Sequence, residues 1–230
     1  MATGRLPAII FAISFHEAAH AWMALRCGDD TAARMGRITL NPVSHFDPIG
    51  FIAILFFPIG WGRPVPYVER NLRDPRKDAM LIAAAGPASN IVLAIVFGLL
   101  YRLTGALLNI ESLGENIMVF RGIVYLHFVL AWSVLINIAL CLFNLIPVFP
   151  LDGEKILIGL LPYQQAVSYE SLRQYGPMML IMLIFVGQGL IMAWVDLMGA
   201  PMAWIFAGNN MTELWYVISQ MFNYLFKTPW

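Results

Sequence analysis

Charge is scarce in this 230-residue chain: 14 Lys and Arg balance 14 Asp and Glu, 12% of residues in all. A soluble globular domain averages about 25%. The zero net charge offers no overall basic field, so no nucleic-acid partner is expected. Only two cysteines occur, Cys27 and Cys141, which excludes a disulfide framework and a Cys-rich metal site. Internal repeats and low-complexity tracts are lacking, and a single domain over 1–230 is expected. Apolar residues are abundant instead, at 60%, with a mean hydropathy of +0.71. That balance is the composition of an integral membrane protein, with the lipid bilayer as its surroundings.

Four apolar runs, near 6–25, 79–103, 123–146 and 177–198, are long enough to span as helices. The expected fold is therefore all-α and polytopic. The first run follows Arg5 and could pass for a cleavable leader, but is read as a retained span. The apolar stretch Ile49–Trp61, bounded by Pro48 and Pro58, is too short to cross and predicts a re-entrant segment. Before it, "GRITLNP" (36–42) alternates with β-branched residues and predicts a short strand of a β-hairpin. Near the C-terminus, Leu214, Val217, Ile218, Met221 and Leu225 fall at helical spacing after Thr212, as in an interfacial helix. Eight of the fourteen basic residues lie in the 26–78 connection. By the positive-inside rule that connection is cytoplasmic, in a multi-pass protein of the cell membrane.

Ionisable groups at membrane depth are costly, yet the first run carries "SFHEAAHAW" (14–22). His16 and His20 stand at i and i+4, so on a helix they share a face, one turn apart. Two imidazoles so placed can hold one zinc ion, and Glu17 can reach a water on the metal's open position. Chance supplies only about 0.002 such HExxH matches in a chain of this composition. A catalytic zinc takes a third protein ligand. Asp152, in "NLIPVFPLDGEK", is the other intramembrane candidate, where prolines and an Asp-Gly step break the third span. The first and third spans end on the same side, so the two motifs can meet.

"HEAAH" together with "NLIPVFPLDG" resembles the site-2 protease family, the M50 intramembrane metalloproteases. "GDDTAARMGRITLNPVSHFDPIG", "GWGRPVPYVERNLRDPRKD" and "AAAGPASN" are similar to the intervening segments of its compact bacterial and archaeal branch. The resemblance implies zinc held by His16, His20 and Asp152, Glu17 as catalytic glutamate, and Asn144 binding substrate or steadying the oxyanion. It implies hydrolysis of peptide bonds in or near a transmembrane segment of a protein substrate, as in regulated intramembrane proteolysis, with the active site nearer the cytoplasmic side. A substrate helix must unwind to be cut, and the 36–42 strand is the expected edge to receive it. Larger relatives carry PDZ or CBS domains, for which no segment here is long enough.

Other polar residues have plainer readings. His45 fixes the re-entrant loop, with a direct catalytic role as its alternative. Asp47, before a proline, is a turn residue. Asn90, beside Gly86, Ala88 and Ser89, bonds across packed helices or touches substrate. His127 is a bundle histidine. Gln188, between two glycines, could loosen the fourth span into a gate. Trp194 and Trp204 read as interface anchors. Two rival functions are a membrane metal-ion transporter and a non-catalytic scaffold binding membrane proteins. Neither needs a glutamate beside the first histidine of the pair.

Overall fold

The computed structural model describes residues 2–45, 47, 48, 50, 62–108, 110 and 116–208. Nine helices occur among them: α1 (Ala2–Arg26), α2 (Thr31–Arg34), α3 (Pro42–His45), α4 (Pro75–Leu108), α5 (Ile117–Asn144), α6 (Asp152–Leu160), α7 (Tyr163–Glu170), α8 (Gly176–Phe185) and α9 (Gln188–Ala207). Four stretches are long and apolar enough to cross a membrane: Leu6–Arg26, Pro75–Leu108, Met118–Asn144 and Gln188–Ala207. The protein is thus a multi-pass helical membrane protein.

Local chemistry sets the ends of these helices. Asp74 caps α4 by accepting the Lys77 N–H at 3.2 Å, and Pro75 follows at the first helical position, where its missing N–H costs nothing. Asn116 caps α5 by accepting from Met118 and Val119. The fourth span is not the expected continuous 177–198. The N–H groups of Val186 and Gly187 both donate to Met182 O, which closes α8, and α9 restarts with Leu190 and Ile191 bonding back to Gly187 O. With ten residues α8 is about 15 Å long, too short to cross, so the spanning helix moves to 188–207.

The spans run alternately up and down. The C-terminal end of α1 meets the start of α4, where Ala24 and Cys27 pack with Ala79 and Ile82. Ala8 and Ala12 pack on Trp132 and Ile136 of α5. Ala203 and Ala207 close a core with Tyr101, Leu130 and Val134. Small residues recur at these contacts because helices in lipid associate by close packing. The Trp194 indole N–H donates to Leu142 O at 3.0 Å, pinning α9 to α5.

No strand forms among the described residues. Residues 36–41 run as turn and bend into α3, so the predicted strand is replaced by an irregular crossing. Arg37 explains the difference: its buried guanidinium donates to the carbonyls of Arg63 and Pro64, in place of a backbone ladder. Asp29 ties the rest of the connection. Fully buried, it accepts from the Thr31 hydroxyl at 2.6 Å, the Asn71 amide at 2.8 Å and the Val68 N–H at 2.7 Å. Asp47 is a turn residue as expected, accepting the Gly50 N–H. The re-entrant stretch 49–61, Gly50 apart, and the C-terminal helix near 212–225 lie outside the described residues.

Candidate metal centre

Three side chains from two distant parts of the chain converge. His16 and His20 project from one face of α1, with their Nε2 atoms 3.0 Å apart. Asp152 opens α6, and its Oδ2 lies 3.1 Å from His16 Nε2 and 3.3 Å from His20 Nε2. The histidines are buried and the aspartate is 18% exposed.

The protonation pattern follows from what faces the other side of each ring. His20 Nδ1 lies 2.7 Å from Ile82 O, and a carbonyl only accepts, so Nδ1 carries the proton and Nε2 presents a lone pair. His16 Nδ1 lies 2.7 Å from Asn90 Oδ1 and donates to it. With both rings neutral, two imidazole lone pairs and a carboxylate face one point. Asp152 Oδ2 is correspondingly a buried acceptor with no hydrogen-bond partner. A cation satisfies all three. Ligands at about 2.0–2.1 Å from a tetrahedral zinc stand roughly 3.3 Å apart, close to the separations found, so the residues fit the metal.

Packing holds the three in place. Gly86 on α4 lies beneath both rings, where a β-carbon would sit 2.5 Å from His16 Cε1 and His20 Nε2. Gly153 packs so tightly on the carbonyls of Leu145 and Ile146 that α6 starts directly against the end of α5. At the far end of α6, Arg76 donates to Ile158 O through Nε and Nη2, at 2.9 and 2.7 Å, and also to Leu161 O. This fork fastens the helix carrying Asp152 to the start of α4.

Glu17 follows His16 on α1. A β-carbon on Gly62 would be 3.4 Å from Glu17 Oε1, so the extended 62–64 segment, clamped by Arg37, lies against the carboxylate. The remaining sequence candidates are not drawn into the three-residue cluster. Asn144 ends α5 with its amide donating to Leu140 O at 2.9 Å. His45 is held in the loop: its Nε2 donates to Thr39 O at 2.8 Å, and its own carbonyl accepts the Arg63 N–H. His127 stacks on Tyr101 and bonds Thr104, on α4 and α5 at a distance from the cluster. Sequence reasoning missed Asn137 and Arg37. The signal for Asn137 was a polar pair at i, i+4, Ser133 and Asn137, within an apolar span.

Fold and cluster together define a class, the multi-pass membrane protein whose HExxH helix and a distant aspartate can hold a metal ion. Sequence comparison supplies the family. The family model described as "Peptidase family M50" matches residues 5–187. YwhC of Bacillus subtilis (strain 168), named as a zinc metalloprotease, is 35% identical over 186 residues, covering 81% of this chain and 82% of YwhC. Rip2 of Mycolicibacterium smegmatis, similarly named, is 25% identical over 217 residues, 90% of this chain and 78% of Rip2. MJ0611 of Methanocaldococcus jannaschii, also so named, is 30% identical over 110 residues, 47% of this chain and 49% of its own. No solved structure matches at a significant level. The chain belongs to peptidase family M50. The resemblance read from the sequence stands, and with it the class of activity, a zinc metallopeptidase.

Proposed function

We propose that His16, His20 and Asp152 hold the catalytic zinc of an intramembrane protease, and that Glu17 is its general base. The observation carrying this reading is the meeting of two imidazole Nε2 atoms and a carboxylate oxygen 3.0–3.3 Å apart. Bound there, zinc supplies Lewis acidity toward the scissile carbonyl and the attacking water. Glu17 takes the proton from that water and returns it to the leaving amine. Asn144, at the end of α5 near Asp152 in sequence, is assigned to substrate or to the developing oxyanion.

The substrate class is a transmembrane segment of another membrane protein. The site lies toward one end of α1: His20 precedes Arg26 by about 9 Å of helix and His16 by about 15 Å. That end opens into the basic 26–78 connection, which supports a site nearer the cytoplasmic face, reached by water from that side. Regulated intramembrane proteolysis is the process such a site would serve. The test is zinc content and cleavage of a membrane-embedded substrate in detergent, for wild type and Glu17→Gln. About one zinc per chain in both, with cleavage in the wild type alone, is expected. Transport or binding that persists in Glu17→Gln, without cleavage by either protein, would sink the assignment.

A further inference from the structure

Behind His16 stands a chain of amides with one possible direction. Ser133 O is a backbone carbonyl and can only accept; it receives Asn137 Nδ2 at 2.8 Å. Asn137 must then offer its Oδ1 to the other side, where Asn90 Nδ2 donates at 2.9 Å. With its nitrogen so engaged, Asn90 can turn only its oxygen to His16 Nδ1, at 2.7 Å. Both asparagines are 0% exposed, and His16 is 7%. The direction of every bond is thus fixed from a carbonyl on α5, through α4, to a ligand on α1.

We infer that Asn90 and Asn137 are positioning residues, forming a three-helix relay that locks His16 in the Nδ1–H tautomer and aims its Nε2 lone pair at the metal. This rests on the metallopeptidase reading of the site and extends it to residues that touch neither metal nor substrate. The physical need is specific to His16. His20 bonds a carbonyl directly, whereas an asparagine can present either end to an imidazole. Asn137 removes that ambiguity. Without it, the Asn90 amide can turn its NH2 toward Nδ1, which favours the tautomer whose Nε2 carries a proton and cannot ligate. In a lipid environment no bulk water is at hand to repair the chain.

The experiment measures zinc dissociation constants by chelator competition on the full chain in detergent, for wild type, Asn90→Leu, Asn137→Leu and the double variant. Groups behind a metal-bound histidine typically contribute 10–100-fold in metal affinity. Asn90→Leu is expected to weaken zinc by that factor and Asn137→Leu by about tenfold, although Asn137 reaches His16 only through Asn90. Because the relay is one path, the double variant should match Asn90→Leu within about twofold. KM for a membrane-embedded substrate should be unchanged in all three, and cobalt-loaded protein should lose the intensity of its visible bands in the same order. Should Asn137→Leu not purify as a monodisperse protein, Asn137→Ala makes the same comparison with less bulk. An unchanged zinc affinity on altering Asn137, effects that multiply in the double variant, or a raised KM at constant zinc affinity would each overturn the relay. Zinc binding that follows the relay pattern without any peptide cleavage would sink the protease reading and leave the relay intact.

Discussion

Gly86 and His20 approach so closely that the hydrogen on the glycine Cα stands where any side chain would meet the imidazole; a β-carbon would lie 2.5 Å from Nε2. On helix propensity alone, Gly86→Ala should stabilise α4 by about 0.5–1 kcal/mol. At this position it displaces both ligand rings instead. A 1 Å error at a reacting centre can cost about 100-fold in rate, and a loss of cleavage of that order is expected. Zinc stoichiometry should fall with it, and the melting temperature should fall to that of the chelated wild type and no further. Full zinc content in Gly86→Ala would show that the rings have room to move.

Metal removal tests the cluster from the other side. A cation between the three side chains binds the folded state alone, so chelation should lower the melting temperature. Zinc at about a hundred times its dissociation constant contributes about 2.7 kcal/mol of stability. Asp152→Ala is expected to abolish the zinc-dependent part of the shift and to leave a protein indifferent to chelator. A zinc-dependent shift that survives this change would place the ion elsewhere.

Acid should loosen the 26–78 connection through Asp29. Burial would raise this carboxyl, but bonds from Asn71, from the Thr31 hydroxyl and from the Val68 and Thr31 N–H groups outweigh it and hold it below the usual range. Its folded value is depressed, so its contribution is present above the unfolded value of about 3.9 and is lost as pH falls through the folded one. Limited proteolysis of the connection should accelerate below about pH 4 in the wild type. Asn71, Thr31 and Val68 lose a charged acceptor in Asp29→Asn, which should be cut faster at pH 7 and show a flatter pH profile. Identical profiles for the two proteins would refute the role given to Asp29.

The Arg76 fork sets the reach of α6. Arg76→Gln leaves the carbonyls of Ile158 and Leu161 without their partner, a loss of about 1 kcal/mol, and frees the far end of the helix that carries Asp152. Zinc should exchange faster in the variant, measured by stopped-flow chelation. Arg76→Lys should recover only part, since an ammonium cannot fork between two carbonyls as a planar guanidinium does. A lysine variant that behaves as wild type would mean that charge alone suffices.

Much of the metal centre was legible because its chemistry is local. The i, i+4 spacing of His16 and His20 depends on helix geometry alone, and "NLIPVFPLDG" announces a broken helix end wherever it falls. What escaped depends on packing between distant segments. Asn90 reads as a bond across packed helices or a substrate contact, and its partners stay unnamed until Asn137 and His16 are found on either side of it. The alternation in "GRITLNP" suggested a strand, but a strand needs a backbone partner, and Arg37 takes those carbonyls with its side chain. Hydropathy runs unbroken across 177–198, so only the bonds around Gly187 reveal that two helices share it. A lone tryptophan likewise carries no sign of the carbonyl that Trp194 finds on α5.

The wide separation of the ligands along the chain bears on how the protein is made. Residues 16 and 20 lie on the first of the four described spans, while Asp152 follows the third. On the proposed assignment, a nascent chain holds the base and two ligands without a complete metal cage until Asp152 has been made. Proteolytic competence arrives only when α6 docks, by which time α1, α4 and α5 are already threaded. On that assignment the order of translation would keep an unfinished chain inert among the other newly inserted proteins of the membrane.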